Sequence, residues 1–233
     1  MSPEALTSVF FSVVLAAVLQ GAANASRSEL VASRSGAEPP LRVVAKGFSV
    51  RPGKWGNPGV VIRNTSKTRD ALGVEVEVTW LAKDGTPVQT DGDEIAVIPA
   101  AMTFYWGDQT VFGPGVPARI DVSVSVRSTR RRACRLPLVS NLRMTGRTVG
   151  TFRVIEDVTN TLGKPLDPTA NAYAVVFDGQ RRVIGGSRSI LGAPLKANQR
   201  ARVVVTMAAV VPARAASARG SAENEGGTTQ PVC

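Results

Sequence analysis

The densest charged feature of the sequence is a run of arginines at residues 127–135. Guanidinium groups attract anionic surfaces, so this run favours contact with lipid headgroups, anionic wall polymers or nucleic acid. The alternative is a solvated interdomain linker that its charge keeps soluble, and the run alone leaves both interpretations open. Nucleic acid is the least favoured ligand, because no aromatic side chains that could stack on bases alternate with the arginines. The predicted electrostatic patch comprises Arg127, Arg130, Arg131, Arg132 and Arg135.

Positive charge is concentrated in the second half of a chain whose net charge is +10. Residues 41–126 contain nine basic and nine acidic residues, whereas residues 141–212 contain ten basic and four acidic ones. Arginine-rich codon usage in a GC-rich genome is an alternative explanation for part of this excess. We expect the arginine run and the region after it to attach the protein to anionic surfaces by electrostatic attraction.

The absence of histidine limits the chemistry that the chain can perform. Histidine is the commonest general base, the usual activator of Ser and Cys nucleophiles and a frequent zinc ligand. No G-x-S-x-G, P-loop or dinucleotide-binding motif occurs in the sequence. We therefore predict a protein that is not an enzyme, with no catalytic residues, no metal ligands and no cofactor.

One acidic cluster, Asp91-Gly92-Asp93-Glu94, lies close in sequence to Asp84. Oxygen-rich clusters can bind Ca²⁺, but the EF-hand order of ligands is absent here. A solvated hairpin loop is the favoured interpretation of this segment.

Alternation of apolar and polar residues predicts an all-β fold. Val74, Val76, Val78 and Trp80 alternate with polar residues, and so do the apolar residues of 120–126. Asp84-Gly85 between two β-prone runs predicts a hairpin. Several short strands about ten residues apart are typical of a β-sandwich.

A second copy of this pattern follows about 95 residues later. Residues 60–65 resemble 154–161, and residues 78–85 resemble 173–179. Asn64 therefore corresponds to Asn160, and Asp84 corresponds to Asp178. Structural roles in turns are expected for these four residues, since Asn and Asp close loops through their side chains. We predict that the last valine-rich strand lies at 120–126 in the first copy and at 202–205 in the second.

The second copy resembles the FxLYD domain, a small β-sandwich of bacterial envelope proteins. A strand ending in Asn precedes Ala174-Val175-Val176-Phe177-Asp178, in which alanine replaces the phenylalanine of the family name. The first copy departs from the pattern, with three residues between Trp80 and Asp84. The resemblance implies an Ig-like fold outside the cytoplasm, and it implies no particular reaction.

The N-terminus has the features of a secretory signal peptide. Residues 5–19 are apolar but short for a membrane span, and Ala23-Asn24-Ala25 provides a small-residue cleavage site. The n-region departs from the usual pattern, because it contains Glu4 and no Lys or Arg. Export would place Cys134 and Cys233 in an oxidising compartment, where we favour a disulfide between them over two free thiols.

The expected architecture is two tandem antiparallel Ig-like β-sandwiches after an N-terminal signal helix. The predicted boundaries are a signal peptide at 1–25, a linker at 26–40, the first sandwich at 41–126, an Arg-rich linker at 127–140, the second sandwich at 141–212, and a flexible C-terminal tail at 213–233.

The expected function is that of a non-catalytic binding module, secreted or associated with the bacterial cell envelope. Its expected partners are an anionic wall polymer, a membrane surface or an envelope protein. A structural or assembly accessory of an envelope complex is the first alternative, and an enzyme without a recognisable motif is the second.

Overall fold

Antiparallel strands make up most of residues 40–51, 55–112 and 115–224, which are the residues that the computed structural model describes. The first half of the chain contributes β1 (Leu41–Arg51), β2 (Trp55–Asn64), β3 (Arg69–Leu81), β4 (Pro87–Ile98), β5 (Thr103–Gly107), β6 (Thr110–Val111) and β7 (Arg119–Arg131). The second half contributes β8 (Leu138–Thr145), β9 (Arg153–Thr159), β10 (Asn171–Phe177), β11 (Val183–Ile190), β12 (Arg200–Thr206), a 3-10 helix (Pro212–Arg214) and β13 (Ser217–Glu223). The all-β prediction is confirmed.

The first sandwich consists of a β4-β3-β7 sheet packed on a β1-β2-β5 sheet, with β6 paired to β2. The alternation predicted for β3 is present: Val74, Val76 and Val78 are buried, whereas Glu75 and Glu77 are exposed. The apolar side chains enter a core that also contains aromatic rings from β3 and β5. Burial of one face of this strand is what its period of two residues predicts.

The second sandwich repeats the topology of the first, with a β12-β9-β8 sheet packed on a β11-β10-β13 sheet. The repeated turn residues have equivalent contacts. The side-chain amide of Asn64 donates to the carbonyls of Arg69 and Ile98, and that of Asn160 donates to those of Lys164 and Leu195. Both asparagines close the loop that follows their strand, as predicted.

The two Asp-Gly turns are also equivalent, because each aspartate accepts a hydrogen bond from the backbone two residues later. The Thr86 N–H donates to Asp84 and the Gln180 N–H to Asp178, both at 2.9 Å. The structural interpretation of these residues is thus confirmed.

The predicted equivalence of residues 120–126 and 202–205, as the last strands of the two copies, is wrong. In the structure β12 pairs with β9 as β5 pairs with β2, while β7 and β13 each complete the sheet that contains β3 or β10. The counterpart of β7 is therefore β13, not residues 202–205.

The prediction of a flexible tail at 213–233 is consequently wrong for Ser217–Glu223. This strand lacks apolar alternation: most of its residues are small, and it becomes buried only at residues 221–223. A Cβ added at Gly220 would lie 2.4 Å from Oε2 of Glu156. Residues 225–233 lie outside the described part of the chain.

The predicted linker at 127–140 is also shorter than expected. Arg127, Arg130 and Arg131 belong to β7, and β8 begins at Leu138, so only residues 132–137 connect the two sandwiches. Hydrogen bonding to β3 along the whole of β7 extends the strand beyond its valines.

The β1-β2-β5 sheet of the first sandwich packs face to face on the β11-β10-β13 sheet of the second. A third apolar cluster lies between them, formed by Val61, Val175 and Val183 with partly buried Ala45, Tyr105 and Phe177. The two middle sheets are thus covered on both sides. This explains why Val60, Val61 and Ile62 are all buried, since strands covered on both faces become continuously apolar.

Glycines bring the two middle sheets into close approach. A Cβ added at Gly59 would lie 2.7 Å from the carbonyl oxygen of Gly185, and one at Gly107 would lie 2.4 Å from the backbone nitrogen of Ser187. A hydrogen bond also crosses this interface. The Tyr105 N–H donates to Oγ of Ser221 at 3.0 Å.

A buried glutamate lies in the core of the second sandwich. Glu156 on β9 is fully buried, and neither of its carboxylate oxygens has a hydrogen-bond partner among the described residues. Burial raises the pKa of Glu156 to about 8. A buried carboxyl without partners is stable only in its neutral form, so this residue is protonated at neutral pH.

Residues 1–39, which include the predicted signal peptide at 1–25 and nearly all of the predicted linker, lie outside the described residues. In the part of the chain that the structure describes, no helix has the length and apolar character needed to cross a bilayer.

Glu156 should make stability fall with rising pH. The unfolded chain releases this proton near the ordinary glutamate value of 4.5, whereas the folded chain retains it up to about 8, so stability decreases through that window. We expect Glu156→Gln to reduce the loss between about pH 5 and pH 8 by ~2 kcal/mol. Urea unfolding at several pH values measures this, with Glu75→Gln on an exposed strand face as control. An unchanged pH profile in Glu156→Gln would show that the carboxyl is solvated.

A side chain at Gly59 should separate the two sandwiches, because no space exists for a Cβ. We expect Gly59→Val to destabilise the protein by ~2 kcal/mol or more through steric overlap. Limited proteolysis within residues 132–137 should become faster as the interface opens. Gly179→Val is the control, because nothing lies within 4 Å of a Cβ there. Equal effects of the two substitutions would contradict the close approach.

Candidate anion-binding surface

The predicted electrostatic patch lies on the surface, at the end of β7 and in the connection after it. Arg127, Arg130 and Arg131 are exposed residues of the strand, and Arg132 and Arg135 are exposed residues of the connection. Nη2 of Arg127 lies 2.5 Å from Oε2 of Glu94, so this arginine forms an ion pair at the surface. The remaining four, which we call the arginine segment, are exposed and form no ion pair within the described ranges: Arg130, Arg131, Arg132 and Arg135.

A buried aspartate fixes the backbone of this segment. Asp70 on β3 is fully buried, and one of its oxygens accepts hydrogen bonds from the N–H groups of Ala133 and Cys134 at 2.7 and 2.8 Å. Its other oxygen accepts from the Ala100 N–H at 2.8 Å. The connection that carries Arg132 and Arg135 is therefore anchored to the core of the first sandwich and is not a loose linker.

A second group of arginines, which the sequence did not single out, lies on the outer face of the β12-β9-β8 sheet. We call it the arginine face: Arg143 on β8, Arg153 on β9, and Arg200 and Arg202 on β12. All four are exposed, while the alternate residues Val154, Val203 and Val205 enter the core. The spacing of Arg200 and Arg202 could have indicated one shared face, but only strand pairing adds Arg143 and Arg153.

One acidic residue, Asp157, lies among these arginines. Its oxygens are 3.3 Å from Nε of Arg202 and 3.7 Å from Nη1 of Arg200, and it accepts a hydrogen bond from Asn141 at 2.9 Å. The hydrogen bond from Asn141, followed by those charges, lowers the pKa of Asp157. With four arginines and one aspartate, the arginine face carries a net charge of +3.

The arginine segment leads into the end of the sheet where Arg200 lies. Leu138 and Arg200 are the first residues of their strands, and both pair with Thr159 of β9. Thr161, just beyond β9, donates a hydrogen bond from its hydroxyl to the Leu136 carbonyl at 3.1 Å. The connection that carries Arg132 and Arg135 therefore adjoins the end of the arginine face where Arg200 lies.

The acidic cluster is part of a strand and is not a solvated loop. Residues 91–94 belong to β4, and Asp91 accepts hydrogen bonds from the Trp80 indole and the Thr110 hydroxyl, each at 2.7 Å. Nη1 of Arg188 lies 2.5 Å from Asp93, and its Nε lies 3.3 Å from Asp108. Within the described ranges, no group of three or more acidic or cysteine side chains is arranged to hold a metal ion.

Arg188 links the two sandwiches electrostatically. Burial lowers its pKa, but the attraction of Asp108 and Asp93 outweighs burial and raises the pKa above the ordinary value. Beside this pair, the Tyr173 hydroxyl donates to Oε1 of Glu223 at 2.8 Å, and Oε2 of Glu223 accepts from the Ala96 N–H at 2.7 Å. Burial raises the pKa of Glu223 to about 8. These acidic residues form contacts between the sandwiches.

Cys134 is buried and is not a free thiol. Its predicted partner, Cys233, lies outside the described residues, so the pairing of Cys134 with Cys233 stays a prediction.

No protein-family model matches this sequence, and no curated protein matches it. Among solved structures, red sea bream transglutaminase is similar over 73% of this chain and 27% of that chain, with 11% identity and a TM-score of 0.24. The C-terminal globular domain of an oligosaccharyltransferase from Pyrococcus abyssi is similar over 79% of this chain and 47% of that chain, with 9% identity and a TM-score of 0.19. The chain spans less than half the length of either structure, and similarity at this level carries no argument about function.

Removal of the Asp70 carboxylate should release the arginine segment. We expect Asp70→Ala to cost ~3 kcal/mol in unfolding free energy, because three backbone N–H groups lose their acceptor. Hydrogen exchange at Ala100, Ala133 and Cys134 should become faster, more than elsewhere in the first sandwich. Asp121→Ala, at an exposed position of β7, is the control. Unchanged protection of the Ala133 and Cys134 amides would contradict the anchoring role.

Proposed function

We propose that this protein is a non-catalytic binding module, secreted or associated with the bacterial cell envelope, that holds an anionic envelope component. The component is a wall polymer or a lipid surface, whose phosphate or carboxylate groups meet the arginine face. The observation that carries the proposal is the exposure of Arg143, Arg153, Arg200 and Arg202 on one outer sheet face.

The geometry of the face supports binding of an extended surface more than of one small molecule. An outer sheet face is broad, and the strand pairing spreads the four guanidinium groups over the three strands. Guanidinium groups bind phosphate and carboxylate through paired N–H donors, and they bear a permanent charge. Many weak contacts of this kind add up only when the ligand presents many anionic groups, as polymers and membranes do.

The arginine segment extends the positive region at one end of the face. Arg130, Arg131, Arg132 and Arg135 add four exposed charges, and the buried Asp70 fixes the connection that carries Arg132 and Arg135. Exposed acidic residues on the first sandwich, such as Glu75 and Glu77, lie on a different outer sheet. Because exposed arginines of β7 balance these acidic residues, the excess of positive charge lies on the second sandwich and would orient that sandwich toward an anionic surface.

Neutralisation of the arginine face should weaken binding to anionic surfaces. Each basic residue near an anionic membrane contributes about 1 kcal/mol, so replacing all four arginines with Gln should lower partitioning about 100-fold or more at low salt. Sedimentation with vesicles containing anionic phospholipid, and with purified cell walls, measures the binding. Retention of the wild type should fall steeply as salt rises from about 50 to 300 mM.

The matched control removes the same charge from exposed positions outside the face: Lys67, Arg119, Lys164 and Lys196, each replaced with Gln. This variant should keep most of the binding. If it loses as much as the arginine-face variant, net charge rather than the face is responsible. Retention that does not change with salt would refute an electrostatic role, and a stoichiometric protein partner recovered instead would favour the assembly-accessory alternative.

A further inference from the structure

A groove of about 510 Å³ opens on the surface where the two sandwiches meet. On one side, β1 contributes Lys46 and Phe48, and on the other the turn between β10 and β11 contributes Asp178, Arg181 and Arg182. Arg214 of the 3-10 helix completes the wall. We call this the junction groove, and it shares no residue with the arginine face or the arginine segment.

The base of the junction groove exists only because the sandwiches are docked. A Cβ added at Gly47 would overlap the carbonyl oxygen of Val183, so the backbones of β1 and β11 are in direct contact there. The Ser49 hydroxyl donates a hydrogen bond to the carbonyl of Ile184. The distance between Lys46 on one side and Arg181 and Arg182 on the other is thereby fixed by the interface.

Four basic side chains line the junction groove: Lys46, Arg181, Arg182 and Arg214. They face a single carboxylate, Asp178, which leaves a net charge of +3 among the lining residues. Asp178 is already saturated, because it accepts from Nε of Arg182 at 2.8 Å and from the N–H groups of Gln180 and Arg182 at 2.9 Å. The backbone bond from Arg182 is the main cause of its lowered pKa.

The other cations remain available for a ligand. Among the residues that the structure describes, Arg181 and Arg214 take part in no ion pair. Lys46 lies 3.3 Å from Asp121, but both side chains of that pair are exposed, so water competes with it.

The two uncommitted arginines project from fixed backbone. Arg181 adopts a left-handed φ of 61° in a turn closed by its N–H bond to the Asp178 carbonyl at 3.0 Å. Arg214 ends a 3-10 turn in which the Ala215 N–H donates to the Pro212 carbonyl at 3.1 Å. A rigid backbone reduces the entropy lost when guanidinium groups close on an anion.

We propose that the junction groove binds a phosphate group carrying two or more negative charges, such as a phosphate monoester or a pyrophosphate. Paired guanidinium groups match the geometry of phosphate oxygens. A dianion also balances most of the +3 charge, whereas a carboxylate leaves two charges uncompensated. This site is independent of the proposed function, since it would recognise a discrete group and not a surface.

Titration calorimetry with inorganic pyrophosphate tests the proposal. The test variant combines Arg181→Asn, which suits the left-handed backbone, with Arg214→Gln. The control combines Lys67→Gln with Lys164→Gln, at exposed positions away from the groove, so that both variants lose two charges. We expect the test variant to bind pyrophosphate about tenfold or more weakly than the wild type, with the control within about twofold. Acetate should bind far more weakly than pyrophosphate to the wild type.

Three results would overturn the proposal: no pyrophosphate binding by the wild type, equal weakening in the test and control variants, or acetate binding as tight as that of pyrophosphate. Thermal unfolding of each variant verifies that the fold is retained. The test variant should also sediment with anionic vesicles as the wild type does, so failure here and failure of the proposed function can be distinguished.

Discussion

The contact between the two middle sheets is the constraint on which the rest of the structure depends. Gly59 and Gly107 allow the first sandwich to approach the backbone of β11 in the second. Apolar packing by Val61, Val175 and Val183 then excludes water from the interface. Close packing of this kind leaves little freedom for one sandwich to move against the other.

Polar groups buried at this interface are matched to one another. Asp93 and Asp108 neutralise Arg188, and Glu223 bridges Tyr173 of its own sandwich and the backbone of Ala96 in the other. A buried charge without a partner would oppose docking, so these pairings favour a single arrangement of the sandwiches. Glu156 is different, because it is buried in the second sandwich alone and its neutral form is the stable one.

Docking also determines where charge remains on the surface. Of the acidic residues of β4, Asp91 points into the first sandwich, Asp93 pairs with Arg188, and Glu94 pairs with Arg127. The arginines of β8, β9 and β12 have only Asp157 among them. The protein therefore presents a basic outer sheet on one sandwich, which is the basis of the proposed binding to anionic envelope components.

The all-β class, the duplication and the turn roles of Asn64, Asn160, Asp84 and Asp178 followed from the sequence alone. These features are local: strand alternation and side-chain bonds to nearby backbone depend on neighbouring residues. The equivalence of β7 and β13 did not follow, because β13 has mostly small residues where β7 has alternating valines. The arginine face and the junction groove likewise depend on which strands pair and which sheets meet. The same holds for the partial burial of Asp91 and Asp93 among their hydrogen-bond and ion-pair partners. Such long-range contacts leave no periodic signal in the chain, so only the tertiary structure decided them.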